Sequence, residues 1–478
     1  MKKFDSKVIN LIKGCLFSGI LLFLTGCTLN YEIDAENNLP LLIGRTKQWH
    51  PDALDQSNGA IMYVDASTVF SDAERYSDIY KTMKSQMYQY IGTLVFIKGQ
   101  EFEATECNRQ KQALFNALEN MRAIVENSDP FNFANIQKAV ENICDGNRQG
   151  MIITDFEFYA PDAFGRIQGP HDMDPYLSES FIKWLNKGYQ IDILTEPYYE
   201  KYNRKDYLKK RFYVFFTDPD DEAPISATMI GQVRKYVVNG DPTIGHCNLV
   251  TLRNTDLGMS RVNESNSCDS VISITIYPLE SCPGELNAID ATWEDIKQYV
   301  MKLDKYNKPM KDDEEGPLPL IDGLVVNNGI NYSVSNLSWH ATNISKPFMV
   351  EQEKEDSLTF ETMEEWDLTD AFMVEMNENN EVSVYLTPKI LTSKHLYGEK
   401  EGFRGNLIRL DIDIDQCTVH EFDEAAFQWK SLGNNYQGRD AVCVSLSIDN
   451  ALKDISVVPS TMDRKHLYTV FIQTQSIE

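Results

Sequence analysis

The sequence predicts an α/β fold in which a doubly wound parallel sheet is followed by a mainly antiparallel β domain. Short apolar runs alternate with helix-length segments as far as about residue 220, as expected for strands buried on both faces. Beyond residue 319, apolar residues recur at every second position, which is the period of a half-buried strand. Between these regions, the charged segment 311–317 ends in Gly316-Pro317 and is typical of a linker.

The first segment of the chain has the pattern of a secretory signal. Four lysines precede the short apolar run 16–24, which leads into Leu24-Thr25-Gly26-Cys27. A charged region, a short apolar core and small residues before a cleavage site are the marks of a signal peptide. The alternative is a transmembrane anchor, but the run is well short of the ~20 residues that span a bilayer.

The junction at Cys27 resembles the lipobox of bacterial lipoproteins. The resemblance implies that residues 1–26 are a signal peptide cleaved before Cys27. It also implies acyl chains such as palmitate on the thiol and the new amino terminus of that cysteine. We therefore expect a lipid-anchored protein of the cell envelope, at the outer membrane, on either its periplasmic or its surface side. Residues 27–56 lack a clear periodicity and are interpreted as a tether.

The acidic composition narrows the range of partners. The formal net charge of the 478-residue chain is −27. The signal region contains four lysines and one aspartate, so its removal takes that charge to −30. Such a surface disfavours nucleic acid and anionic lipid as partners. We expect contact with the membrane through the lipid anchor and a partner that is another envelope protein.

The cysteines give little indication of metal binding or of a disulfide framework. Seven follow Cys27, an odd number, so at least one thiol is expected to be unpaired. The sequence contains no CxxC pair and no cluster of histidine and cysteine with zinc spacing, so a structural zinc site is not expected. Export permits disulfides, and their pairing stays open.

Strands and helices are predicted to alternate along residues 57–220. The apolar runs that predict strands are 60–64, 93–97, 151–154, 189–194 and 212–216. The helix-length segments are 71–90, 108–126, 133–145 and 177–187, and Gly188 is expected to end the last of them. This alternation indicates a doubly wound α/β domain.

The domain is assigned residues 57–310, and its part beyond residue 221 either completes the sheet or forms an inserted lobe. Helices are predicted there over 225–238 and 293–303, and strands over 247–252 and 271–277.

The second domain, residues 319–478, is interpreted as an antiparallel β-sandwich or a similar fold. Segments 371–376 and 382–386 flank a polar stretch and are predicted to form a hairpin. Segments 407–415, 441–448 and 467–474 alternate with the same period and are predicted to be strands.

Three aspartates follow apolar runs at their carboxyl ends: Asp65, Asp155 and Asp218. Sites in open α/β sheets form beyond these ends, so the three carboxylates are expected to converge on one rim of the sheet. Carboxylate oxygens are ligands that Mg²⁺ prefers. The alternative interpretation is that these acids cap helices or are solvated in loops.

Two motifs on this rim resemble those of von Willebrand factor A-type (vWA) domains. Segment 64–69, with the sequence VDASTV, resembles the first strand and loop of the family, which carries an Asp-x-Ser-x-Ser motif there. Segment 152–155, with the sequence IITD, is similar to a later strand whose aspartate also serves the metal. The resemblance covers about residues 57–220. It implies a vWA-like fold and a divalent metal held by Asp65, Ser67 and Asp155.

The chain departs from the family pattern at two ligand positions. Val69 stands where the family has its second serine, and Ala134 stands where a threonine is expected. Two hydroxyl ligands implied by the resemblance are therefore missing. We expect weak Mg²⁺ binding or none, and no other cofactor.

Two functions are compatible with these features. The first is a non-enzymatic lipoprotein whose vWA-like domain binds another envelope protein or has a structural role, with the β domain as a second contact surface or spacer. The alternative is a metal-assisted hydrolase that uses the rim of Asp65 and Asp155, and a basic or histidine side chain converging on that rim would favour it. No G-x-S-x-G, P-loop or H-E-x-x-H motif is present, and no catalytic residue is assigned. A third interpretation, glycan binding by the β domain, is based on general aromatic content.

Overall fold

A computed structural model of the chain describes residues 53–128, 134–157, 159–161, 167–170, 176–202, 205–219, 221, 224–253, 257–261, 271–276, 300–302, 319–345, 366–393, 395–396, 405–427, 443–456 and 466–476. The predicted signal peptide, Cys27 and most of the predicted tether lie outside these ranges. None of the helices within these ranges is long and apolar enough to cross a membrane.

The described ranges contain nineteen strands and seven α-helices. The strands are β1 (Ala60–Asp65), β2 (Ile91–Lys98), β3 (Glu101–Glu106), β4 (Gly150–Thr154), β5 (Tyr159–Pro161), β6 (Ile167–Pro170), β7 (Gln190–Tyr202), β8 (Lys205–Thr217), β9 (Asn248–Leu252), β10 (Gly258–Arg261), β11 (Val271–Ile276), β12 (Val300–Lys302), β13 (Pro319–Asn327), β14 (Tyr332–Asn343), β15 (Trp366–Asp367), β16 (Phe372–Met376), β17 (Glu381–Leu386), β18 (Asn406–Val419) and β19 (His466–Ser476). The helices are α1 (Thr68–Tyr76), α2 (Asp78–Met87), α3 (Lys111–Ser128), α4 (Ile136–Asp145), α5 (Ser178–Asn186), α6 (Ile225–Val233) and α7 (Cys443–Ser456).

A seven-stranded mixed sheet with the order β3-β2-β1-β4-β8-β7-β9 forms the first part of the molecule. Strand β1 pairs in parallel with β2 and β4, whereas the other neighbours pair antiparallel. The α/β class is confirmed, but the prediction of a parallel sheet throughout is wrong. After β7 the chain returns directly as β8, without the crossover that a parallel neighbour requires, and β8 inserts between β7 and β4.

Helices cover both faces of this sheet. Helices α1, α2, α3 and α6 bury one face, where the core includes Met62 and Val64 from β1. Helices α4, α5 and α7 bury the other face, around Trp184 and Phe216. Burial on both faces explains the continuous apolar runs in the strands.

The predicted helices of the first part are present, with one division. The segment predicted as one helix over 71–90 forms α1 and α2, separated at Ser77. The Ser77 hydroxyl accepts a hydrogen bond from the backbone N–H of Tyr80 at 2.9 Å and so caps α2. Helix α5 is followed by Gly188, which has φ +87° and ends the helix as predicted.

Two further sheets pack against each other around a second apolar core. Their strand orders are β10-β13-β17-β16 and β12-β11-β19-β18-β14-β15. Pairing is antiparallel except between β11 and β19, so the prediction of mainly antiparallel β structure is confirmed. Strands β16 and β17 form the predicted hairpin.

The region from residue 221 to 310 divides between the sheets. Helix α6 and strand β9 belong with the seven-stranded sheet, whereas β10, β11 and β12 pair within the other two sheets. The predicted helix over 293–303 is wrong at its end, because residues 300–302 form β12. Residues 277–299 lie outside the described ranges.

The segment 441–448 was predicted to be a strand, and this prediction is wrong where the structure describes it. Residues 443–456 form helix α7, which packs against α5. The buried face of α7 consists of Val444, Ile448, Ala451 and Leu452. This spacing follows the helical stripe i, i+4, i+7, i+8. The eight residues 441–448 contain only the first two positions of the stripe, which is too few to distinguish a helical period from a period of two.

Candidate functional site

Asp65 and Asp155 lie at the same rim of the seven-stranded sheet, as predicted. Strands β1 and β4 run parallel with Val64 opposite Ile153, so the two strands end together. The Thr154 hydroxyl lies 3.4 Å from Asp65 Oδ2, to which it donates. The two carboxylates predicted from separate strands are therefore neighbours.

Asp218 was expected on this rim, and that expectation is wrong. Strand β8 is antiparallel to β4, with Phe216 opposite Gly150. The carboxyl end of β8 consequently meets the amino end of β4. Asp218 therefore lies at the end of the strands opposite to Asp65 and Asp155, where it is 6% exposed.

The other positions implied by the vWA resemblance are occupied as follows. Ser67 is half-buried and immediately precedes α1 as its N-cap residue. Val69 and Ala134 are both buried and contribute no side-chain oxygen. The Val69 carbonyl accepts a hydrogen bond from Arg211 Nε at 3.0 Å.

A basic side chain, Lys209, converges on the rim from β8. Its Nζ lies 3.0 Å from Asp155 Oδ2, 3.2 Å from Glu157 Oε2 and 2.9 Å from Glu200 Oε2. Glu200 also accepts a hydrogen bond from the Thr68 hydroxyl. Burial on its own lowers the pKa of Lys209, but the surrounding carboxylates raise that pKa well above its usual value. Lys209 is therefore a buried ammonium ion.

Asp65 differs electrostatically from its neighbours. The residue is 4% exposed, and its Oδ1 has no hydrogen-bond partner within the described part of the chain. Burial, and next the negative charge of Asp155, raise the pKa of Asp65 to about 8. At neutral pH this side chain is mostly a neutral acid.

These residues do not fit a Mg²⁺ ion. The Lys209 ammonium already compensates Asp155, which the resemblance assigns to the metal, and Asp65 retains a proton. Val69 and Ala134 supply no ligand atom. In the ranges that the structure describes, no three His, Cys, Asp or Glu side chains are grouped to hold a metal ion.

Divalent metal is accordingly expected to add little to stability. At ~1 mM Mg²⁺ and a Kd of about 1 mM or weaker, the gain is below about 0.5 kcal/mol. Melting curves with EDTA and with Mg²⁺ should therefore superimpose. A melting temperature that rises by several degrees with Mg²⁺ in the unaltered protein, but not in Asp65→Ala, would contradict this prediction. Such a result would show that the rim binds a metal ion.

A second buried network lies beside the rim. Arg211 is fully buried, with Nη1 3.0 Å from Glu196 Oε2 and Nη2 2.6 Å from Asp72 Oδ2. Glu196 also accepts hydrogen bonds from the Ser77 hydroxyl at 2.8 Å and the Tyr213 hydroxyl at 2.7 Å. The network joins β7 and β8 to the start of α2.

The basic residues of both clusters are not among the site residues predicted from the sequence, although the chain contains a signal for them. Lys209, Lys210 and Arg211 are consecutive, directly precede an apolar run and are at most 4% exposed. Alternation along β8 directs Lys209 and Arg211 to one face. Lys210 on the other face pairs with Asp241 at 2.7 Å. Three basic residues in a strand of an acidic protein indicate buried carboxylate partners.

Strands β7 and β8 extend past the rim as a pair, which we call the projecting hairpin (residues 196–202 and 205–211). Strand β4 ends at Thr154 opposite Phe212, so the hairpin continues beyond its last partner. Between this hairpin and α1 opens a cleft of about 910 Å³. We call it the acidic cleft, because its lining includes six carboxylates and two guanidinium groups: Asp72, Asp78, Glu126, Glu196, Glu200, Asp206, Arg75 and Arg211.

Comparison with known proteins gives no match for this chain. No protein-family model matches it, and neither does a curated protein or a solved structure. The assignment of function therefore depends on the residues of the rim, the projecting hairpin and the acidic cleft.

Proposed function

We propose that the chain is an envelope-anchored lipoprotein that acts as a non-enzymatic protein-binding or structural module through a vWA-like domain. The observation that carries the proposal is the ion-paired rim. Lys209 is bound by three carboxylates at the place where the resemblance implies a metal. The charge of Asp155 is thereby compensated from within the protein, and the acidic cleft beside the rim is an open surface of charged and apolar side chains available to a partner.

Three features support the vWA-like part of the proposal. Strand β1 is flanked on both sides by parallel strands, as in a doubly wound sheet. Helix α1 begins directly after Ser67, where the family has its metal-binding loop. Asp65 and Asp155 end neighbouring strands. The antiparallel β8 is a departure from the family's parallel arrangement.

Hydrolysis at Asp65 and Asp155 is the second candidate, because a basic side chain does converge on the rim. The geometry supports binding better than hydrolysis. Asp65 is 4% exposed and Lys209 is 3% exposed, so a substrate has little access to either group. Turnover of a phosphate or carboxylate ester that is abolished in Asp155→Asn would favour the hydrolase instead.

Replacing Cys27 with serine is expected to release the protein from membranes or leave it unprocessed. Two or three acyl chains give stable anchoring, whereas a single chain binds only marginally. Fractionation and labelling with an alkynyl palmitate analogue measure the effect, and Cys417→Ser serves as the control thiol variant. Normal processing and membrane retention of Cys27→Ser would refute the lipoprotein assignment.

Protein binding is tested by photo-crosslinking in intact cells. A photoreactive amino acid is placed at position 199 on the projecting hairpin, where Tyr199 is 56% exposed, and in a control at position 330, where Ile330 is 54% exposed. Position 199 should give a discrete adduct with another envelope protein, and position 330 should not. The absence of an adduct at 199, or the same adducts at both positions, would contradict the proposal.

A further inference from the structure

The acidic cleft keeps an excess of carboxylates after its ion pairs are counted, in which Glu126 lies 3.9 Å from Arg75, Glu200 lies 2.9 Å from Lys209 and Asp78 lies 3.9 Å from Lys81. Arg211 lies at its base and is already bound to Glu196 and Asp72. Asp78 and Asp206 line the mouth of the cleft, where both are exposed. A cation entering the cleft therefore meets carboxylates that the buried arginine does not neutralise, and such complementarity favours a basic partner.

A buried hydroxyl in the lining points independently to a ligand. Tyr198 lines the cleft and is 4% exposed, yet its hydroxyl has no hydrogen-bond partner among the residues that the structure describes. The Arg211 guanidinium lies 4.5 Å from the centre of the Tyr198 ring. A buried polar group without a partner is destabilising, so a ligand that pairs with it gains affinity. Arginine and lysine side chains carry only donors, which suit this hydroxyl oxygen and the carboxylates around it.

The mouth of the cleft also offers aromatic and apolar contacts. Tyr76 and Ile244 line it and are 68% and 48% exposed, large values for such side chains. Arg75 lies 5.7 Å from the centre of the Tyr76 ring, so this ring already contacts a cation. The cleft is larger than one side chain requires, so it accommodates a length of peptide.

We infer that the acidic cleft binds a basic segment of a partner protein, with an arginine or lysine side chain directed towards Tyr198 and the surrounding carboxylates. The inference rests on the proposed protein-binding function and specifies the chemistry of the partner. The net negative charge of the chain, −27, favours association with a basic protein at long range.

The direct test is binding of a defined peptide to the full chain purified in detergent. The probe is a fluorescein-labelled peptide of glycine and serine with three arginines, and the control peptide carries glutamate at those positions. The arginine peptide should bind, and its affinity should fall as salt is raised from ~0.05 M to ~0.3 M because exposed charges are screened. The glutamate peptide should not bind.

Matched variants locate the site. Asp78→Asn combined with Asp206→Asn should weaken peptide binding about tenfold, since two exposed charge pairs with the peptide are lost. The control removes two exposed carboxylates outside the cleft, by Glu101→Gln and Glu375→Gln, and should leave the affinity unchanged. Tyr198→Phe removes the buried hydroxyl while preserving the ring, and should also weaken binding.

Three results would overturn the inference. Equal weakening in the control variant would show attraction by overall charge rather than by the cleft. Displacement of the peptide by spermidine at an equal concentration would assign the cleft to small cations. Failure of the arginine peptide to bind, while the crosslink at position 199 persists, would show that the partner is not recognised through a basic segment, and the proposed function would stand without this inference.

Discussion

Replacing Lys209 with methionine is expected to destabilise the protein by about 3–5 kcal/mol, because the change leaves buried carboxylates without their cation. Asp155, Glu157 and Glu200 all lie within 3.2 Å of its Nζ. Methionine preserves most of the apolar stem but none of the charge. Urea unfolding at neutral pH measures the loss.

Lys210→Met is the matched control for this prediction. Lys210 is the next residue and is equally buried, but its one carboxylate partner among the described residues, Asp241, has a side chain that is 62% exposed. Its Nζ also donates to the Ala425 carbonyl, which is a neutral acceptor. Water can solvate that carboxylate when the lysine is removed, so the expected loss is about 1 kcal/mol. Equal losses in the two variants would show that side-chain packing, rather than charge compensation at the rim, determines the effect of Lys209.

Asp65→Asn is expected to act in the opposite direction and stabilise the protein, by on the order of 2–4 kcal/mol at about pH 8. Burial and the neighbouring Asp155 raise the pKa of Asp65 from 3.8 to about 8 in the folded state. Between these values the folded protein holds a proton that the unfolded chain has released. Stability therefore falls as pH rises through this window, and the cost is complete above about pH 8. Asparagine does not ionise, so the variant avoids this cost of burying a carboxylate.

The measurement is the free energy of unfolding of both proteins from about pH 4 to pH 9. The two curves should nearly meet at the acidic end and separate as pH rises. Asp454→Asn is the control, since Asp454 is exposed on α7, and its curve should follow that of the unaltered protein. Parallel curves for Asp65→Asn and the unaltered protein would show that Asp65 is ionised in the folded state.

The pairing of Asp65 with Asp155 could be predicted because both signals are local. Each aspartate ends a short apolar run, and the helix-length segments between the runs permit parallel pairing. The direction of β8 could not be predicted in the same way. The runs 189–194 and 212–216 predicted two short strands, and the polar residues between the runs extend both strands, so that Tyr198 pairs with Lys209.

That one reversal accounts for most of the errors at the candidate site. Because β8 is antiparallel to β4, Asp218 lies at the end of the strands away from Asp65 and Asp155. The same reversal brings Lys209 and Arg211 to the rim, where the sequence had suggested a cation from solution. Ion pairs between residues distant in sequence depend on strand direction, and no local pattern in a single sequence specifies that direction.

The position of α7 has a consequence for the order in which the protein can be made. Leu177 N–H donates to the Ser447 hydroxyl at 3.2 Å, and Ile448 shares the core of α5. A chain that is synthesised amino end first thus presents α5 long before its covering helix emerges. During that interval the apolar face is open to aggregation, and a holding chaperone would be useful. A nascent chain interrupted before residue 443 cannot close this core, so we expect proteases to remove it as unfinished.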